Sequence, residues 1–112
     1  MAREARERSI VIYEDERGYE PFVDWIQSLR DHKTRRRIRK RISRMEEGNF
    51  GDHKSIGDGV FELRLFFGSG YRVYFAEDGD TVVVLLSGGD KSTQNKDIKK
   101  AKEYWLDFQE SK

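Results

Sequence analysis

The sequence contains no cysteine, which excludes both a disulfide framework and a thiolate metal site. It also lacks any apolar run that approaches the roughly 18 residues required to span a membrane. Its first eight residues have no apolar segment of the kind that a signal peptide needs. We therefore expect a cytoplasmic protein that makes no contact with a membrane.

Several signatures of catalysis are missing as well. The chain has no P-loop, no dinucleotide-binding fingerprint and no pattern typical of a Ser-His-Asp triad. Its two histidines are not spaced with other ligand residues as a metal site requires. We expect neither a bound metal nor a small-molecule cofactor.

An excess of charge of either sign is absent too. The chain has 22 Lys and Arg against 21 Asp and Glu, a net charge of +1, so only the distribution of charge can indicate a partner.

A length of 112 residues fits one domain, which we place at residues 1–112 with residues 1–8 flexible. Seven Phe, five Tyr and two Trp supply apolar area for a modest core.

The apolar periodicity predicts an α+β fold with the order β-α-α-β-β-β-β-α. The predicted elements are strands at 9–13, 52–56, 60–67, 71–76 and 81–86 and helices at about 20–30, 33–47 and 94–108. Consecutive hairpins favour an antiparallel sheet, with two N-terminal helices and one C-terminal helix. The last strand is apolar on both faces, so we expect it in the interior of the sheet. Ser92 or Thr93 is expected to cap the last helix.

The second helix carries a concentrated positive charge. Between Lys33 and Arg44, eight of twelve residues are Lys or Arg. These side chains either contact phosphates or an acidic partner, or form a solvated face whose stems cover apolar surface. We favour the first interpretation because the acidic residues lie elsewhere in the chain, and we take Arg36 and Lys40 as candidate RNA-binding residues.

The predicted hairpin brings two further arginines together. If Phe67 pairs with Tyr71, Arg64 lies opposite Tyr74 and diagonal to Arg72 on one face, about 7–8 Å away. Two such guanidiniums could bind one phosphate, and the Tyr74 ring could stack on a base. An ion pair of Arg64 with the glutamate two positions earlier, or with another surface carboxylate, is an equally good interpretation of the spacing.

Residues at both sides of this hairpin add candidates. Gly88 and Gly89 could let the backbone approach a ligand closely, or they could merely turn the chain. Asp90 and Lys91 follow them at a helix N-terminus, a position that favours anions. His53 could exchange protons near neutral pH, although a single surface histidine usually has no catalytic role. Its neighbour Lys54 offers a compact positive charge.

Three blocks of sequence, at residues 51–64, 70–75 and 85–98, resemble the addiction-module killer-protein family. This family is the phage-derived, HigB-like branch of the RelE/ParE toxin superfamily, and the resemblance covers about residues 9–108. It implies a small RelE-like fold and the toxin of a type II toxin–antitoxin system. The implied partner is a cognate antitoxin, often a helix-turn-helix protein.

The resemblance also implies an activity: metal-independent cleavage of mRNA at the ribosome, in which the 2′-hydroxyl attacks the adjacent phosphorus. Arg64 and Arg72 would then hold the scissile phosphate, and Lys54 would steady the backbone or lower the pKa of the 2′-hydroxyl. Several RNA-cutting relatives carry a Tyr or His for proton transfer near the end of the last strand or in the C-terminal segment, and here Asp90 or Lys91 would have to substitute for it. We expect an exposed Arg72, so that Arg72→Ala would remove cleavage without affecting the fold.

Two other functions remain open at this stage. One is a gyrase-directed toxin that binds its target without catalysis, and the other is a non-catalytic RNA-binding regulatory module. The combination of two arginines with Lys54 favours the endoribonuclease, because fixed cations stabilise the charge that develops on a phosphate.

Overall fold

A computed structural model describes residues 7–112 as one sheet covered by helices on both sides. The elements are β1 Ser9–Ile12, α1 Pro21–Ser28, α2 His32–Glu46, β2 His53–Gly57, β3 Val60–Leu65, β4 Tyr71–Asp78, β5 Val82–Gly89, a 3₁₀ turn Lys91–Thr93 and α3 Gln94–Glu110. The predicted α+β order is confirmed, including the short strand before β3. Proline at the first position of α1 fits a site where a missing N–H has no cost.

The start of the described chain contacts α2 and β4, and the predicted flexibility of residues 1–8 stays a prediction. The Arg8 backbone N–H donates to the carbonyl of Glu46 at 2.7 Å. Its guanidinium lies 3.5 Å from the carboxylate of Glu77. Residues 1–6, which the same prediction covered, lie outside the described part of the chain.

The strands are arranged in the order β1-β5-β4-β3-β2. Strand β5 is interior, as its apolar sequence predicted, but β1 pairs with it in parallel, from Ser9 opposite Val82 to Ile12 opposite Leu85. The prediction of a wholly antiparallel sheet is therefore wrong for β1. The remaining pairs are antiparallel, because each joins strands that are neighbours along the chain.

The sheet separates two apolar layers. Helices α1 and α2 cover what we call the front face, and α3 covers the back face. The buried front layer comprises Phe22, Ile26, Ile38, Ile42, Met45, Leu63, Leu65, Val73, Phe75, Val83 and Leu85. The buried back layer comprises Tyr13, Val60, Tyr74, Ala76, Val84, Leu86, Ala101 and Trp105. Burial on both faces explains why the central residues of β4 and most of β5 are apolar.

The β3–β4 hairpin differs in register from the prediction. Leu65, not Phe67, lies opposite Tyr71, so the connection Phe66–Gly70 has five residues. Gly68 and Gly70 have φ values of 57° and 78°, which glycine adopts at little cost, and they allow this longer turn. A shift of two residues preserves the face on which each side chain lies. Arg64 and Arg72 therefore still share the back face.

Candidate nucleic-acid interface

Arg64 and Arg72 are direct neighbours on the back face, opposite each other on β3 and β4. Residues so paired have β-carbons about 4.5–5.5 Å apart, and like charges at this distance destabilise a sheet unless they are compensated. Each arginine has its own carboxylate. The Nε of Arg64 lies 3.3 Å from Oδ2 of Asp52, and the Nε of Arg72 lies 3.5 Å from Oε2 of Glu62.

The two arginines differ in accessibility. The Arg72 side chain is only 12% exposed and its Glu62 partner is fully buried, whereas Arg64 is 31% exposed. The start of α3 covers the Glu62–Arg72 ion pair, since the Gln94 amide donates to Glu62 at 2.9 Å. Arg72 also donates to the carbonyl of Gly70 at 2.5 Å. The expectation of an exposed Arg72 is therefore wrong, because an internal carboxylate holds it beneath a helix.

The terminal nitrogens of Arg64 are open. Within the described chain, only its Nε donates a side-chain hydrogen bond, to Asp52. Its Cζ lies 5.5 Å from the ring centroid of Phe66. Arg64 is thus the member of the pair that can contact an anion without breaking an internal interaction.

Tyr74 does not reach the surface. It is fully buried opposite Glu62, and its hydroxyl donates to Oε2 of that carboxylate at 3.2 Å. Burial, followed by the charge of Glu62, raises the pKa of the Tyr74 phenol. The expected stacking of this ring on a base is wrong, because the ring belongs to the back layer of the core. Sequence alternation placed Tyr74 on the correct face but could not indicate that α3 covers it.

The buried cluster of Glu62, Arg72 and Tyr74 is polar but incompletely hydrogen-bonded. Oε1 of Glu62 and Nε of Arg72 are buried without a hydrogen-bond partner, so the 3.5 Å ion pair is a charge contact of loose geometry. Buried polar groups normally find partners, and the cost of an unsatisfied one is about 1–3 kcal/mol. The charge attraction between the two side chains is what offsets that cost here.

Two exposed lysines flank Arg64 and Arg72. Lys54 lies opposite Glu62 on the back face, which makes it a diagonal neighbour of Arg64. Lys91 is exposed, and a β-carbon added to Gly70 would lie 3.5 Å from the Lys91 β-carbon and 3.3 Å from an Arg72 terminal nitrogen. The structure therefore brings Lys54, Arg64, Arg72 and Lys91 to one end of the back face.

Asp90 has a structural role at this end. Its Oδ1 accepts from the Ser92 N–H at 2.9 Å and from the Ser92 hydroxyl at 2.6 Å, and its Oδ2 accepts from Ser69 at 3.1 Å. The hydrogen bond from Ser92 is the main reason that the pKa of the Asp90 carboxyl is lowered. A lowered pKa makes a carboxylate a weaker base. Asp90 fastens the β3–β4 turn to the start of the last helix.

The cap predicted for α3 is only partly correct. Thr93 occupies the capping position, but its side chain makes no capping hydrogen bond. Its hydroxyl donates instead to Asp97, a side chain whose pKa is raised by burial.

Gly88 and Gly89 serve packing rather than a turn. Both lie within β5, and neither has a positive φ. A β-carbon on Gly88 would overlap the Trp25 ring, and one on Gly89 would overlap the Asp97 carboxylate. The glycines therefore let α1 and α3 approach the sheet closely.

His53 lies apart from Arg64. It pairs with Leu63, and its ring packs edge-on against Phe50 and Phe61, with centroids 5.5 and 6.1 Å away, on the front side of the sheet. Its Nδ1 lies 2.9 Å from the carbonyl of Gly51. The structure does not bring this histidine to the cluster on the back face.

A groove of about 350 Å³ lies on the front side, between α2 and the β3–β4 hairpin. Its lining contains four cationic side chains, three apolar ones and no acidic one. These residues are Arg37, Lys40, Arg41, Arg44, Leu65, Phe66 and Phe67. Lys40 thus lies where the sequence predicted a basic surface, whereas Arg36 is exposed on α2 outside the groove lining. We call this feature the basic groove.

Arg41 is the structural member of the basic groove. Its guanidinium donates to the backbone carbonyls of Arg64 at 2.7 Å, Asp52 at 2.8 Å and Phe50 at 3.3 Å. Burial lowers its pKa. Arg41 therefore joins α2 to the ends of β2 and β3.

Phe66 is the candidate that the sequence analysis missed. Its side chain is 75% exposed at the edge of the basic groove. The adjacent Phe67 is half-buried, with Arg37 3.7 Å above its ring and Tyr71 5.4 Å away. A signal was available in the sequence, because two consecutive phenylalanines interrupt the alternation of β3 just before a glycine.

Metal ligands do not converge in the described chain. Over residues 7–112, His, Asp and Glu side chains form no group of three that could hold an ion. Over the same residues, every helix is too short or too polar to cross a membrane.

These features define a small α+β protein with cationic side chains on both sides of one end of its sheet. Residues 24–105 match the family described as "Phage derived protein Gp49-like". A protein of Haemophilus influenzae described as uncharacterized is 52% identical over 81 residues, which cover 72% of this chain and 82% of that protein. The chain therefore belongs to the Gp49-like family of phage-derived proteins, a family of the addiction-module toxin type.

Proposed function

We propose that the protein is the toxin of a type II toxin–antitoxin system and that it cuts RNA. The observation that carries the proposal is the position of Arg64. Its guanidinium neighbours Lys54 and Arg72 on the back face and lies 5.5 Å from the ring of Phe66, which lines the basic groove. Family membership supports the toxin, and the resemblance to the HigB-like branch supports a RelE-like fold and the choice of RNA as the target.

The proposed reaction is a metal-independent endoribonuclease step. The 2′-hydroxyl of one nucleotide loses its proton to water as its oxygen forms a bond to the adjacent phosphorus, and the bond to the 5′-oxygen breaks. The 5′-oxygen takes up a proton from water, which leaves a cyclic phosphate and a new 5′-hydroxyl. Negative charge grows on the phosphate oxygens during this step. Cations held in place before the reaction stabilise such charge without further reorganisation.

The side chains have different roles in this scheme. Arg64 contacts the phosphate through its terminal nitrogens, which can form two parallel hydrogen bonds. Lys54 and Lys91 add positive charge along the RNA backbone. Arg72 is a positioning residue, because its internal ion pair keeps the neighbouring strand and its turn in place.

Charge stabilisation is the main contribution that we assign to the protein. The lowered pKa of Asp90 makes it a poor proton acceptor, and His53 lies on the other side of the sheet. We propose mRNA on the ribosome as the substrate, a cognate helix-turn-helix antitoxin as the partner, and the cytoplasm as the location.

Induced expression with and without Arg64→Ala tests this function. We expect the wild-type chain to arrest growth and to create new mRNA 5′ ends within translated frames, as mapped by primer extension. Arg64→Ala should remove both effects. Arg17→Ala is the matched control, since Arg17 is an exposed arginine beside Asp107, near the opposite end of α3.

Three outcomes would contradict the proposal. Growth arrest with intact transcripts and accumulating DNA breaks would indicate a gyrase-directed toxin. Full cleavage by Arg64→Ala would show that the phosphate is bound elsewhere. An RNA-binding regulator would instead bind transcripts without arresting growth or creating new ends.

A further inference from the structure

We propose that Phe66 is a base-stacking residue and that the basic groove binds single-stranded RNA, with one base on the Phe66 ring and the adjoining backbone along α2. The proposal rests on the proposed function for its choice of nucleic acid. It adds the substrate class, single-stranded rather than duplex RNA, and a contact on the front side of the sheet.

The exposure of Phe66 is the first observation. At 75% it is the most exposed of the large apolar side chains in the described chain. Isolated exposed apolar residues are common on protein surfaces and need no explanation by themselves. Phe66, however, belongs to the lining of a groove that contains four cationic side chains.

The second observation is that, within the described part of the chain, two of those four cations make internal contacts and two do not. Arg37 lies over the Phe67 ring, and Arg41 is bound to three backbone carbonyls. Lys40 and Arg44 are exposed and line the same groove. Two cations thus shape the groove, and two remain at its surface to contact phosphates.

The basic groove combines cationic side chains with an exposed aromatic ring, and this combination indicates which kind of molecule binds there. Proteins that bind single strands combine a positively charged groove for the backbone with aromatic rings on which bases stack. An acidic protein segment would be attracted by the cations but would leave the Phe66 ring without a matching group. The absence of acidic side chains from the groove lining agrees with a polyanion that carries planar rings.

The neighbouring contacts connect this groove to Arg64. The Arg64 guanidinium lies 5.5 Å from the Phe66 ring centroid. One nucleotide could therefore place its phosphate on Arg64 and its base on Phe66. Bases in an A-form duplex are stacked inside the helix, so only an unpaired base can lie flat on an exposed ring.

Fluorescence anisotropy with a labelled 2′-O-methyl oligoribonucleotide tests the proposal, because this RNA lacks the attacking hydroxyl and is not cut. The full chain is compared with Phe66→Ala and Phe66→Tyr. We expect Phe66→Ala to weaken binding of the single strand roughly ten- to a hundredfold, and Phe66→Tyr to restore it. The salt dependence should not change, since no phosphate contact is lost. Leu106→Ala, a change at another exposed apolar residue, is the control.

The outcomes separate this inference from the proposed function. Unchanged binding by Phe66→Ala would overturn the inference even where the wild-type chain cuts unmodified RNA. Equal losses for a duplex and a single strand would also overturn it. Phe66-dependent binding by a chain that creates no new 5′ ends in translated mRNA would support the inference and contradict the nuclease. A wild-type chain that binds no single-stranded RNA would overturn the inference, whereas the proposed function is decided by the 5′ ends mapped in translated mRNA.

Discussion

Glu62 and Arg72 form an ion pair inside the protein, with Oε2 3.5 Å from Nε and the Glu62 side chain fully buried. Removing one partner of a buried pair leaves the other charge uncompensated, which typically costs about 3–5 kcal/mol. We expect Glu62→Ala to lower the free energy of unfolding by about 3 kcal/mol, because Arg72 can partly reach solvent. Urea denaturation measures the change.

Asp52→Ala is the matched control for that change. Asp52 pairs with Arg64 through the same guanidinium nitrogen, Nε, at 3.3 Å, but is 44% exposed. Exposed ion pairs contribute about 0–1 kcal/mol, so this variant should lose far less stability. Equal losses for the two variants would contradict an internal role for Glu62.

Arg41 should matter for stability although it belongs to a basic surface. Arg41→Ala removes three hydrogen bonds to backbone carbonyls, and we expect a loss of about 2–3 kcal/mol because hydrogen bonds from charged donors are stronger than neutral ones. Arg36→Ala, which changes an exposed arginine on the same helix, should stay within about 0.5 kcal/mol of the wild type. Thermal or urea unfolding distinguishes them, and similar values would contradict the structural assignment.

Alkaline pH should destabilise the fold through Tyr13. Burial, together with a 2.6 Å hydrogen bond to Asp107, raises the pKa of this phenol above its ordinary value. The folded chain then keeps a proton that the unfolded chain loses near pH 10, so the stabilisation is complete below about pH 10 and disappears as the pH rises further. Tyr13→Phe should start less stable at pH 8 but lose less between pH 8 and 11. Parallel stability curves would contradict this linkage.

The sequence predicted the elements well but not all of their pairing. Helix periodicity placed the three helices within two residues of their observed ends. The partner of β1 could not be found in the same way, since Ser9 pairs with Val82 and no short turn links them. The hairpin register was also missed, because it depends on the positive φ of Gly68 and Gly70 and on the packing of Phe67.

The sequence predicted only part of the candidate site, because the rest depends on tertiary packing. The face shared by Arg64 and Arg72 follows from the two-residue period of strands and does not change when the register shifts by two. What covers that face depends on where a distant helix packs. The burial of Tyr74 and Arg72 beneath α3 is therefore a tertiary property that local pattern does not contain.

The parallel pairing of β1 with β5 has a consequence for the synthesis of the chain. Strand β1 is synthesised before β2, β3 and β4, but its partner β5 follows all of them. Contacts so distant in sequence form late, after the intervening segments have been made. Strand β1 of a nascent chain therefore has no partner in the described sheet until β5 has been made.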